Sequence, residues 1–157
     1  TLCTDADMIF ESNFLSVILS SIKAVGGLGM AVCRCRDLPD LGPERRYDET
    51  DFSILKSKAT IRPTGGTGAC QAAATAWFKK VGGYDEKYVH WGFEDTDMFY
   101  RAKKDGLVPC WIHDRTSMLH QYHPTMRHDR LVLKWKNKLR YYLTRGQIVK
   151  KSALLFS

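Results

Sequence analysis

The chain of 157 residues is 44% hydrophobic and 26% charged, with 12 Gly and 5 Pro. That mix suits one domain with a sizeable core and excludes collagen-like, low-complexity and disordered chains. Its net charge is +7, but the excess sits between Arg127 and Lys151, where nine basic residues accompany one acid, and the rest of the chain sums to −1. A nucleic-acid-binding fold, with basic residues spread over its surface, does not fit that distribution. No apolar run approaches the ~20 residues of a membrane-spanning helix. Five cysteines without a CxxC pair read as free thiols of a reducing, cytoplasmic setting. The chain has no initiator Met and opens inside a strand-and-acid pattern, so it is read as a piece of a longer protein.

In chain order, Thr1–Thr4 reads as the end of a strand and Asp5-Ala6-Asp7 as the turn beyond it. Asn13 is expected to cap a helix whose apolar positions Phe14, Val17, Ile18, Ile22 and Val25 recur at helical spacing, stopped by Gly26-Gly27. Leu28–Cys35 reads as a strand. Arg36–Arg62 reads as a polar surface loop or insertion with a short helix near Asp51–Lys58. Gly65–Gly68 turns into a small-residue strand, Ala69–Ala74. Thr75 is expected to cap a helix over Ala76–Val81, closed by Gly82-Gly83. Tyr84–Phe93 reads as a loop, Glu94–Lys104 as a helix with Met98, Phe99 and Ala102 inward, and Leu107–Ile112 and Ser117–His120 as strands. Leu131–Thr144 reads as a longer helix with Leu131, Val132, Trp135, Leu139, Tyr142 and Leu143 as its apolar stripe, opposite a basic face. The class is α/β.

Three clusters carry chemistry. Asp5-x-Asp7 on one turn can share a hard cation, or one carboxylate can hold the metal and the other a ribose hydroxyl. Trp91-Gly92-Phe93-Glu94-Asp95-Thr96-Asp97 sets three acids in the first turn of a helix, where the macrodipole favours them as ordinary capping residues. Tyr84, Tyr88, Trp91 and Phe93 beside them go beyond capping, because aromatic faces next to carboxylates suit a sugar ring. His120-x-x-His123 offers one or two imidazoles to a metal, or simply packs at a strand end.

Together these pieces resemble the GT-A nucleotide-sugar glycosyltransferases of the galactosyltransferase-like type. Leu2–Ile9 looks like their strand and DxD motif, and Gly68–Phe78 with Val81-Gly82-Gly83-Tyr84-Asp85-Glu86 is similar to their strand–helix–GGYDE segment. Trp91–Asp97 looks like the WG-x-ED-x-D block, and Ser117–His120 is similar to the strand whose histidine ligates the metal. The resemblance implies the C-terminal portion of a GT-A fold, a mixed sheet flanked by helices. Residues 1–126 would form a metal- and acceptor-binding half, and 127–157 a basic amphipathic C-terminal helix.

It also implies Mn²⁺ or Mg²⁺ on Asp7 and His120, with Asp5 on the metal's water shell or the donor ribose. Asp95 would be the general base. Glu94, Trp91, Gly92 and Tyr84 would bind substrate. The implied reaction is inverting transfer of a hexose or N-acetylhexosamine from a nucleotide-diphosphate sugar, with UDP favoured, to a carbohydrate hydroxyl. Further expectations are contact of the basic helix with an anionic membrane surface and a homodimer through the truncated face. The competing readings are a non-catalytic metal- or sugar-binding remnant of that fold and a basic nucleic-acid-binding protein. A zinc hydrolase lacks a helical HExxH, and the Thr64–Gly68 loop lacks the Lys-Ser/Thr of a P-loop.

Overall fold

The computed structural model describes the chain except residues 43–46, 48–50, 64–66, 90–91, 125–130 and 151–157, and the side chains of 131–134. The described residues form two mixed four-stranded sheets and five helices. The first sheet runs β1 (Leu2–Thr4), β6 (Cys70–Ala72), β3 (Gly29–Val32), β7 (Val108–Trp111), with β7 parallel to β3 and the other pairs antiparallel. The second runs β2 (Met8–Phe10), β8 (Met118–His120), β4 (Arg36–Asp37), β5 (Thr60–Ile61), with β8 and β4 parallel.

Strand β3 is an unbroken apolar run because helices cover both faces of its sheet. Its side chains alternate. Ala31 joins Phe14, Val17 and Ile18 of helix α1 (Phe14–Ala24) on one face. Met30 and Val32 join Trp77, Phe78 and Val81 of α3 (Thr75–Val81) and Met98 and Ala102 of α4 (Glu94–Lys104) on the other. A smaller cluster of Leu38, Leu55 and Leu119 seats α2 (Phe52–Lys58) on the second sheet. All five cysteines are free thiols. Burial pushes Cys33 and Cys70 up to about 12 and Cys35 up to about 11, so they pack as small apolar groups.

Several expectations are corrected here. The Asp5-x-Asp7 turn leads into a second strand, β2, before α1. The Arg36–Arg62 stretch holds two short strands around α2. Asn13 makes no side-chain cap; its Oδ1 accepts from Thr116 Oγ1 at 2.6 Å, so the amide pins the turn before β8 instead. Ala74 stands at the cap position of α3, and Thr75 Oγ1 accepts from Thr1 Oγ1 at 2.8 Å.

Helix α5 (Leu131–Thr144) has the expected bounds, but its apolar stripe faces outward: Trp135, Leu139, Tyr142 and Leu143 are exposed. Its polar side turns in, because the surface it meets is polar. Asn137 is buried against the backbone of Val89 and Gly92, and Arg140 pairs with Asp85 at 2.6 Å. Expectations for Trp91, for Arg127 and Arg130, and for Thr64–Gly66 lie outside the described residues.

Beneath α5 lies a buried charge network. Arg101 and Asp97 are fully buried and 2.9 Å apart. Arg101 also donates to the carbonyls of Val81, Gly83 and Ile148 at 3.2, 2.8 and 3.3 Å. Lys150 stands 3.5 Å from Asp97 Oδ1 and 3.4 Å from Asp85 Oδ2. The Lys150 carbonyl occupies the space where a Gly82 side chain would be: a Cβ there would lie 1.9 Å from it, and Gly82 has φ +76°. Gly82→Ala should therefore cost about 4 kcal/mol or more. Gly106→Ala, also at positive φ but with nothing within 4 Å of its Cβ position, should cost only about 1–2 kcal/mol. Urea unfolding of the two variants measures the difference.

Candidate functional site

The Asp5-Ala6-Asp7 turn joins β1 of the first sheet to β2 of the second, so its two carboxylates serve different surroundings. On the β2 side, the register pairs Met8 with His120, and Gln121 N–H donates to Asp7 O at 3.0 Å. On the other side of β8, parallel pairing sets Asp37 beside His120. His120 is thus held between two acids. Its Nε2 lies 3.2 Å from Asp7 Oδ2, and its Nδ1 lies 3.1 Å from Asp37 Oδ1. His123 Nε2 approaches the same Asp7 oxygen at 3.1 Å.

Among the described residues, Asp7, His120 and His123 are the group whose ligand atoms all lie close enough to hold one ion. The donor chemistry fits a cation. If the Asp37 contact is an N–H donated from Nδ1 of His120, Nε2 carries the lone pair of the neutral ring. A lone pair aimed at a carboxylate oxygen needs a positive charge between them, either a second proton on the ring or a metal ion. Asp37 is itself held by Arg62, through Nε at 2.8 Å and Nη2 at 2.6 Å. This is the carboxylate–histidine support common behind metal ligands.

Arg62 leads to the second part of the site, since it also lines a cavity of about 550 Å³ with Asp5, Tyr84, Gly92, Glu94 and Asp95. Asp5 stands here, apart from the Asp7 cluster. Helix α4 presents Glu94 and Asp95 from its first turn, and the turn before it is strained: Gly92 has φ +103° and Phe93, a bulky residue, φ +77°. Asn137 braces that turn from α5, donating to Val89 O at 2.9 Å and Gly92 O at 3.0 Å.

Asp95 Oδ1 accepts from Thr96 N–H at 2.7 Å, while Oδ2 has a longer contact of 3.3 Å from Thr67 Oγ1. Gly68 is required behind it, because a Cβ there would fall 2.6 Å from Asp95 Oδ2. Gln71, fully buried in β6, donates to Asp95 O at 2.9 Å and accepts from Tyr84 O–H at 2.6 Å. Tyr84 is therefore a brace of the cavity wall as well as part of its lining. Glu94 Oε2 is buried with no hydrogen-bond partner. Burial, followed by the charges of Asp95 and Asp5, holds the Glu94 carboxyl above its usual range.

The cavity therefore gathers Asp5, Tyr84, Gly92, Glu94 and Asp95, and the adjoining cluster gathers Asp7 and His120. Asp37, Arg62, Gln71 and Asn137 escaped the sequence reading. Gln71 left one signal, a lone polar residue in a buried strand, and His123 was visible in the HxxH spacing. Asp37 left none, since only strand pairing brings it to His120.

Residues 53–124 match the family model described as the N-terminal domain of galactosyltransferase. The stretch from α2 through β8 is thus similar to a galactosyltransferase domain, which supports a transferase of the glycosyltransferase kind. The matched stretch includes Glu94, Asp95, His120 and His123; Asp5, Asp7, Asp37 and α5 lie outside it. No curated protein matches the chain.

The raised Glu94 pKa carries a stability consequence. A carboxyl whose folded pKa exceeds its unfolded value costs stability once pH rises through that folded value. Glu94→Gln should match the native protein below the ordinary Glu value of 4.5. It should become the more stable of the two as pH passes the raised value. Thermal unfolding from pH 4 to pH 8 would show this as a growing gap in Tm, and a constant gap would refute it.

Proposed function

We propose that the protein is a metal-dependent, inverting glycosyltransferase. It moves a hexose or N-acetylhexosamine from a nucleoside-diphosphate sugar, UDP being the favoured carrier, to a carbohydrate hydroxyl. The observation that carries this reading is one cavity lined by Asp95 and Glu94, with Arg62 in its wall linked through Asp37 to the Asp7–His120–His123 cluster.

In this reading Asp7, His120 and His123 hold the cation, with Asp37 fixing the His120 tautomer. Two imidazoles and a carboxylate suit Mn²⁺ better than Mg²⁺, which prefers oxygen ligands throughout. The bound cation supplies positive charge to the departing nucleoside diphosphate. Asp5 accepts hydrogen bonds from the donor's ribose hydroxyls. Glu94 and Tyr84 orient the acceptor sugar. Asp95 Oδ2, the less firmly held oxygen of the pair, takes the proton of the acceptor hydroxyl as the hydroxyl oxygen bonds to the anomeric carbon and the bond from that carbon to the diphosphate breaks. Gly92 lines the same cavity.

Isothermal titration of UDP with and without Mn²⁺ tests the donor site. Binding should require Mn²⁺ and vanish in Asp7→Ala; binding of equal strength without Mn²⁺ would overturn the metal assignment. Asp37→Asn should weaken Mn²⁺ binding about 10–100-fold while leaving the fold intact. Asp95→Asn should keep Mn²⁺-dependent UDP binding and lose transfer about 10²–10⁴-fold, and retained transfer would remove its role.

A further inference from the structure

The outward turn of α5 leaves an apolar face with a distinctive frame. Trp135, Leu139, Tyr142 and Leu143 follow one another at steps of four, three and one residues, which sets them along a single side of the helix. They are 66%, 61%, 53% and 75% exposed. The opposite side is occupied by Asn137, Arg140 and Thr144, which are engaged with Asp85, Val89, Gly92 and Lys150.

Between these two sides run the cations. Lys136 borders the apolar face on one flank, and Lys138 and Arg145 border it on the other. The Lys138 ammonium lies 4.8 Å from the Trp135 ring and the Arg145 guanidinium 5.1 Å from the Tyr142 ring. From Leu131 to Lys150 the sequence contains no Asp or Glu.

We infer that α5 is an interfacial helix that docks the protein onto an anionic phospholipid surface. Trp135, Leu139, Tyr142 and Leu143 enter the headgroup boundary, while Lys136, Lys138 and Arg145 meet lipid phosphates. Charge decides the occupant. Two copies brought face to face would appose like charges on both flanks, whereas an anionic bilayer complements both flanks at once. Trp and Tyr are the aromatic residues that favour a boundary with one wet and one apolar side. The docking inferred is that of α5 alone; no helix among the described residues is long and apolar enough to cross a membrane. The docking direction follows from the fold: the buried side of α5 already carries its polar partners, so the helix need not detach to reach lipid.

The test is co-sedimentation with vesicles of phosphatidylcholine alone and of equimolar phosphatidylcholine and phosphatidylserine. It uses the native chain and the variant Trp135→Ser/Leu139→Ser/Leu143→Ser, and it needs no transferase activity, so its result stands apart from the reading of the cavity. The native protein should pellet with the anionic vesicles and not the neutral ones, and the variant should partition about tenfold less or weaker still. Because the three side chains are exposed, the variant should keep its circular dichroism melt. Lys136→Glu/Lys138→Glu, a second variant that leaves the apolar face in place, should also lose anionic-vesicle binding. Equal partition of native and variant chains, or no preference for anionic lipid, would overturn the inference. So would a native dimer that the triple variant converts to monomer, which would assign the face to a second copy.

Discussion

The arrangement of this molecule depends on one buried guanidinium. Arg101 spends its donors on Asp97 and on three backbone carbonyls, from Val81, Gly83 and Ile148. A buried ion pair contributes little net stability against a well-packed apolar alternative, but losing one partner strands the other at a cost of about 3–5 kcal/mol. The pair therefore acts on geometry more than on stability. It fixes α4 relative to the end of α3 and to the chain after α5, and α4 is the element that presents Glu94 and Asp95 to the cavity. The strained Gly92–Phe93 turn persists because Asn137 on one side and the α4 network on the other leave it no room to relax.

The two halves of the site are assembled differently. The Asp7–His120–His123 cluster arises from strand pairing in the second sheet, with Asp37 and Arg62 as its support. The cavity arises from β1, the turn before β6, and the start of α4. The Asp5-Ala6-Asp7 turn belongs to both, because it is the chain's crossing from one sheet to the other. Two acids two residues apart can therefore do different work: Asp7 faces imidazoles, and Asp5 faces a cavity already rich in carboxylates.

Local signals in the sequence reach the elements that local physics determines. The bounds of α4 and α5 follow from helical periodicity and from the residues that end them, and the acids at the start of α4 mark its first turn. Pairing partners are another matter. Strands β4 and β5 have two residues each, too short to show alternation, and their register is what delivers Asp37 to His120. Asn13 and Thr75 are good capping residues by type, but tertiary partners Thr116 and Thr1 claimed their side chains. For α5 the periodicity says which residues share a face and leaves open which face turns inward. Asp85 and the backbone of Val89 and Gly92 decide that, and they reward Arg140 and Asn137 over Trp135 and Leu139.

The fit of the Lys150 carbonyl into the space beside Gly82 bears on the order in which the protein is made. The cavity wall, from Tyr84 to Asp97, leaves the ribosome well before Lys150 does. Until that segment arrives, Asp85 lacks both Arg140 and Lys150, Arg101 lacks the Ile148 carbonyl, and the Gly92 turn lacks Asn137. The contacts that hold the site from this side are complete only once the segment through Lys150 has been made.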